Sequence, residues 1–144
     1  MDYTQGLKLA KVLNLTVAED LDDAEAHGLC VYWDHLIRLK PSLGEDKMLH
    51  VLLHEIAHYT GSEHLLARET LLKYGHNELY ALVEEAIAEG VAVTLLLSYG
   101  LEPDTGPFNY ITQLCDDEGI EYDIDVLPEI ERIVNYLTPH TKGL

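Results

Sequence analysis

The sequence predicts an α+β domain, mostly helical, with a short β-hairpin or small sheet ahead of a helix that carries two histidines. Three observations predict it. Residues 48–61, MLHVLLHEIAHYTG, are apolar at helical spacing, interrupted by His54, Glu55 and His58. Residues 78–98 repeat Leu79, Leu82, Val83, Ala86, Gly90, Val93 and Leu97 at the period of a core helix. Residues 29–39, LCVYWDHLIRL, are rich in strand-forming side chains between Gly28 and Pro41.

Length and composition bound the answer. A chain of 144 residues is expected to be a single domain, residues 1–144, with 47% apolar residues as a globular core requires. No apolar run approaches the roughly 18 residues of a membrane span. The opening MDYTQGLKLA lacks a basic start followed by an apolar segment, so the expected location is the cytoplasm. Cys30 and Cys115 belong to no C-x-x-C pair and read as buried small hydrophobes.

In chain order, residues 3–13 suit a short helix with Thr4 as its cap, and residues 14–28 run from Leu15-Thr16-Val17 into an acidic turn ending at a surface His27. Asp34-His35 divides LCVYW from LIRL as a hairpin turn. The segment Leu36 to Leu39 is the candidate cleft rim, where a substrate could add as a further strand; a purely structural hairpin is the alternative. Ser42 or Asp46 can cap the histidine helix, Glu45 and Asp46 suit its N-terminus, and Gly61 is its expected stop. Residues 62–74 read as a short helix or structured loop broken at Gly75-His76-Asn77. Asn77 then caps a long helix to about Ser98 and Gly100. Its small residues Ala86, Ala88 and Gly90 admit close approach by the helix of His54. After the turn-rich EPDTGP, residues 108–114 resume helical spacing, and a last helix opens at Asp125 or Pro128 and ends at Pro139.

Nine basic residues against twenty-six acidic ones give a charge of −17. From Glu102 to Glu131 the chain has ten acidic residues and no Lys or Arg. Such a surface repels nucleic acid and anionic membrane, so neither is an expected partner. Solubility, a face for a basic partner or substrate, and mimicry of DNA phosphate are the three readings of the acidity.

The chemistry lies in His54-Glu55-Ile56-Ala57-His58. Residues four apart lie one above the other on a helix, so both imidazoles reach one tetrahedral metal and Glu55 is aimed at its water. One Zn2+ per chain is therefore expected, with Glu55 as general base. The third ligand should come from another element. Glu85 is the choice, with Glu89 four residues on accepting a hydrogen bond from the other nitrogen of His54 or His58. Glu89, His64 and His76 remain alternative ligands. Tyr59, Tyr74, Tyr80 and Tyr110 are candidate donors to the tetrahedral intermediate, Tyr110 being preferred because it starts a helix after a loop.

HEIAHYTG, followed by Arg68 and then Glu84-Glu85-Ala86-Ile87-Ala88-Glu89, resembles the metallopeptidase domain of the ArdC-type antirestriction proteins and related polyvalent proteins of phages and plasmids. LIRLKP, Phe108-Asn109-Tyr110-Ile111 and the last helix extend the similarity over residues 29–137, leaving 1–28 as an N-terminal helix and acidic segment. Ser62 and Leu65 stand where that family carries a histidine and an arginine. The resemblance implies a zincin-like fold, His54 and His58 as ligands, Glu55 as base and a carboxylate of the 84–89 helix as third ligand. The single-stranded-DNA-binding domain that precedes the peptidase in those proteins has no room here. Three functions compete: the first is a zinc-dependent metallopeptidase acting on a protein or peptide, a basic one being the substrate the charge suggests, and the second is a catalytically silent zinc-containing acidic protein that binds and inhibits a basic or DNA-binding host protein. A metal-dependent hydrolase of another amide is the third. The presence of Glu55 favours catalysis.

Overall fold

Asp2 opens the first helix: its side chain accepts from the Gln5 N–H at 2.9 Å, and the Gln5 side chain accepts from the Asp2 N–H at 2.9 Å. This reciprocal capping box sets the start two residues before the expected Thr4. The computed structural model describes residues 1–61, 72–75 and 78–144. In order they form α1 (Tyr3–Val12), β1 (Thr16–Ala18), β2 (Gly28–Val31), a 3-10 turn (Tyr32–Asp34), β3 (Leu36–Leu39), α2 (Glu45–Thr60), α3 (Glu78–Ser98), α4 (Gly106–Asp117), a π-helical turn (Tyr122–Val126) and α5 (Leu127–Thr141). The fold is α+β and mostly helical. The expectations for residues 62–71 and for His76 and Asn77 lie outside the described residues.

The hairpin forms as expected, β2 running antiparallel to β3 with Cys30 opposite Ile37. His35 closes the turn in the left-handed region at φ 49°. A third strand was not foreseen: β1 pairs parallel with β3, Val17 opposite Ile37. The strand order is therefore β1-β3-β2. This overturns the expectation that Leu36 to Leu39 forms the cleft rim, because β3 is flanked on both sides and has no open edge to offer a substrate. β2 is the edge strand on the hairpin side.

α2 starts at Gly44, φ 86°, without a side-chain cap; the Ser42 hydroxyl bonds the Pro41 carbonyl instead. Glu45 and Asp46 occupy the first turn, where they oppose the helix dipole. Gly61 is not a left-handed stop either. It stays right-handed at φ −64°, and a Cβ there would lie 3.3 Å from Ile133 Cδ1, so its small size serves the approach of α5.

α3 is the hub, packed against α2, α4 and α5. Its Val83, Val91 and Leu95 join Leu52, Leu53 and Ile56 of α2, Ile37 and Leu39 of β3, and Ile133 and Leu137 of α5 in one buried core. α3 packs against the histidine helix as expected, but Gly90 itself faces α5. A Cβ on Gly90 would meet Ile130 Cδ1 at 2.2 Å and Cγ1 at 2.9 Å, so Gly90 admits α5 rather than the histidine helix. Pro128 sits in the first turn of α5, but the helix runs on through Pro139 to Thr141. Cys30 and Cys115 are buried and are not joined in a disulfide. Among the described residues no helix is long and apolar enough to cross a membrane.

Gly90→Ala tests the α3–α5 contact. Helix propensity alone favours Ala by about 1 kcal/mol, whereas overpacking a filled core costs about 1–3 kcal/mol. A net loss of about 1 kcal/mol in denaturant unfolding is expected, recovered in part by adding Ile130→Val; a stabilised Gly90→Ala protein would contradict the packing described.

Candidate metal centre

His50, His54 and His58 fall at successive four-residue steps, so they stack along one face of α2 while Leu52, Leu53 and Ile56 fill the core behind them. α3 lies across that face and places Glu85 and Glu89 opposite the imidazoles. His54 Nε2 lies 3.1 Å from His58 Nε2 and 3.2 Å from Glu85 Oε2, and His58 Nε2 lies 2.8 Å from Glu85 Oε1. A tetrahedral zinc with bonds of about 2.05 Å has ligand-to-ligand edges of about 3.3 Å. His54, His58 and Glu85 thus converge at nearly the spacing one ion requires.

Glu89 does a different job. One of its oxygens takes His54 Nδ1 at 2.9 Å and the other takes His50 Nε2. A carboxylate only accepts, so His54 Nδ1 carries hydrogen and its Nε2 is turned to His58 and Glu85. With both oxygens engaged and nearly buried, Glu89 orients the His54 ring, and Glu85 is the carboxylate facing the shared point.

Three lone-pair atoms cannot face one another unless something positive lies between them. In the metal-free chain that role falls to a proton. Burial pushes His54 down, but its hydrogen bonds to Glu85 and Glu89 and the charge of Glu55 outweigh burial and hold it up at about 10. Glu85 is pushed up by burial and held well below the usual carboxylate range by His54 and His58. Glu89, likewise opposed by burial, is brought down to about 2 by His50 and His54.

Glu55 stands apart from these hydrogen bonds. It is 7% exposed, its Oε2 is 4.0 Å from His54 Nε2, and among the described residues it has no hydrogen-bond partner. Burial chiefly raises its pKa, with Glu85 and Glu89 adding to the rise and His54 and His58 opposing it. β2 comes down beside it because residue 28 is glycine: a Cβ there would lie 2.5 Å from Val51 Cγ1 and 3.1 Å from Glu55 Cγ. Glu55 opens on a cleft of about 760 Å³ that also takes in His54, Glu85 and Glu89. The cleft is lined along α2 as far as Asp46 and Lys47, and also by His27 and Gly28 and by residues 101–104 with Pro107.

The expected tyrosine is not brought to this group. Tyr110 is 66% exposed on α4 and is not part of the cleft lining. Tyr59 is tied to His35 Nδ1 at 2.8 Å, and Tyr74 donates to Asp125 at 2.6 Å. Burial and then Glu84 push Tyr80 up to about 12. The tyrosine that feels the centre is Tyr32, half-buried on the turn after β2 and pushed up by burial and by the charges of Cys30, Glu84, Glu55 and Glu85. His50 and Tyr32 escaped the sequence reading. The four-residue stripe of His50, His54 and His58 was a readable sign of the first. His27, expected at the surface, is half-exposed and lines the open cleft. His64 and His76 lie outside the described residues.

Comparison of the chain with protein-family models, with curated proteins and with solved structures finds no match.

The metal-free cluster has a definite pH signature. His54 is held above its ordinary 6.5, so its contribution to stability is complete below about 6.5 and is lost as pH rises towards about 10. Glu89 is held below its ordinary 4.5, so its contribution is complete above about 4.5 and is lost as pH falls towards about 2. The melting temperature of chelator-treated protein should therefore peak between those limits. The alkaline fall should shrink in His54→Gln, and an unchanged fall in that variant would contradict the assignment.

Proposed function

We propose that this chain is a zinc-dependent peptidase, working in the cytoplasm on a protein or peptide, with His54, His58 and Glu85 holding the ion. One observation carries the reading: three ligand atoms at tetrahedral spacing lie beside a buried carboxylate, Glu55, that has no hydrogen-bond partner among the described residues and faces a long open cleft. The resemblance of HEIAHYTG and the 84–89 helix to the ArdC-type metallopeptidase domain points the same way.

Zinc, when bound, supplies a lowered pKa for water and a polarised substrate carbonyl. The protein's own groups do the rest. Glu55 takes the proton of the attacking water and later delivers it to the leaving amine; burial strengthens its hold on that proton between the two steps. Glu89 keeps His54 Nε2 turned to the centre, and His50 keeps Glu89 in place. No tyrosine lines the cleft among the described residues, so Tyr110 is given up as donor to the developing oxyanion and no tyrosine takes its place.

The cleft favours a chain over a small amide. From Asp46 to Glu55 it follows α2 for nine residues, about 13 Å at 1.5 Å per residue. An extended peptide advances about 3.3 Å per residue, so about four residues fit. β2, the edge strand beside Glu55, takes over from β3 as the element along which substrate main chain can lie.

Elemental analysis of tag-free protein tests the ligand set. One zinc per chain is expected, lost in Glu85→Ala and weakened by about 10–100-fold in Glu89→Ala. Glu55→Gln should keep zinc while peptide cleavage falls by at least about 100-fold. Absence of zinc from the wild type would contradict the proposal. Bound zinc without Glu55-dependent cleavage would favour the silent, partner-binding alternative.

A further inference from the structure

Building on the peptidase reading, we propose that the wall formed by residues 101–107, together with Asp46, is a subsite for a lysine or arginine side chain of the substrate. The cleft is marked as a binding site independently of its charge, because Glu55, nine-tenths buried and without a hydrogen-bond partner among the described residues, opens into it.

This wall has two chemistries in the order that a long basic side chain needs. Leu101 and Pro103 are half-buried and, with Pro107, give an apolar surface. Glu102 and Asp104, alternating with them, are exposed at the mouth, and Asp46 reaches the same cleft from the first turn of α2. A methylene stem can lie on the apolar surface while its cationic head meets the carboxylates in water.

The wall is also pre-shaped. Pro103 and Pro107 fix φ on either side of Asp104, and Asp104 Oδ1 accepts from the Gly106 N–H at 3.0 Å. Less side-chain and loop freedom is then lost on binding than from a floppy acidic loop. Lys47 also lines the cleft, and Lys47 and Lys40 act on His27, the residue before β2. A basic side chain is thus drawn to the carboxylates of Glu102, Asp104 and Asp46 and away from the neighbourhood of His27. The overall charge of −17 adds long-range attraction without choosing a position. Since about four extended residues span the cleft, the basic residue lies within about four positions of the bond cut.

The test uses zinc-loaded full-length Glu55→Gln protein and eight-residue peptides that carry one arginine at each position in turn, or citrulline, its uncharged isostere. Binding is read by fluorescence anisotropy at low salt. At one or two positions arginine should bind at least about tenfold tighter than citrulline. The triple variant D46N/E102Q/D104N should erase that preference. A control triple with the same charge change outside the cleft, D116N/D117N/E118Q, should keep it. Equal binding of the two peptides, no binding of either, or equal loss in both triples would overturn the subsite. Cleavage by wild type separates the two levels of the proposal. If the citrulline peptide is cut as fast as the arginine peptide in a Glu55-dependent way, the peptidase reading stands and the subsite falls. If neither is cut, the underlying reading falls and takes the subsite with it.

Discussion

The account depends on one packing contact, that of α3 across the histidine face of α2. A buried imidazole or carboxylate is expensive alone, since each loses water and gains nothing. Here His50, His54 and Glu89 are buried or half-buried against one another, with Glu85 closing the cluster from its exposed edge, so every group faces an opposite charge or a hydrogen-bond partner. Removing one partner from a buried ionic cluster costs about 3–5 kcal/mol. A cluster this demanding is hard to explain as a packing device, because apolar side chains of similar size would fill the same space with no such penalty.

The rest of the fold serves that contact. α5 braces α3 from behind and reaches it closely only because Gly90 leaves room for Ile130. β2 braces the other flank and reaches α2 only because Gly28 leaves room for Val51 and Glu55. The His35–Tyr59 hydrogen bond ties the hairpin turn to the end of α2. Two missing side chains therefore fix the distances on which the placement of Glu55 and Glu85 depends.

Local patterns were legible and long-range ones were not. The histidine helix, the long helix 78–98 and the hairpin could be read because their periodicity and turn residues act within a few positions. β1 was missed because three residues carry no periodic signal, and its pairing with β3 depends on chain twenty residues away. Gly90 was legible as a point of close helix approach, but spacing along one chain does not say which helix approaches, and α5 is the one it admits; Gly61 ends α2 where expected, and only its right-handed backbone was not legible. At the site, four-residue spacing brought His54, His58 and a carboxylate together, but spacing could not separate Glu85 from Glu89. Only the arrangement of nitrogens around each carboxylate does so. Tyr110 was placed by its position after a loop, and exposure on the outer face of α4 removes it from the cleft.

X-ray absorption at the zinc edge, on protein loaded with one equivalent of zinc, measures the proposed donor set directly. The account predicts two imidazole nitrogens at about 2.0–2.1 Å and light oxygen donors at about 2.0–2.2 Å. It also predicts that Glu85→Ala, loaded and desalted in the same way, retains no zinc-edge signal, while Glu89→Ala keeps the same donor set at lower occupancy. A sulfur shell at about 2.3 Å, or an undiminished zinc edge in Glu85→Ala, would contradict it.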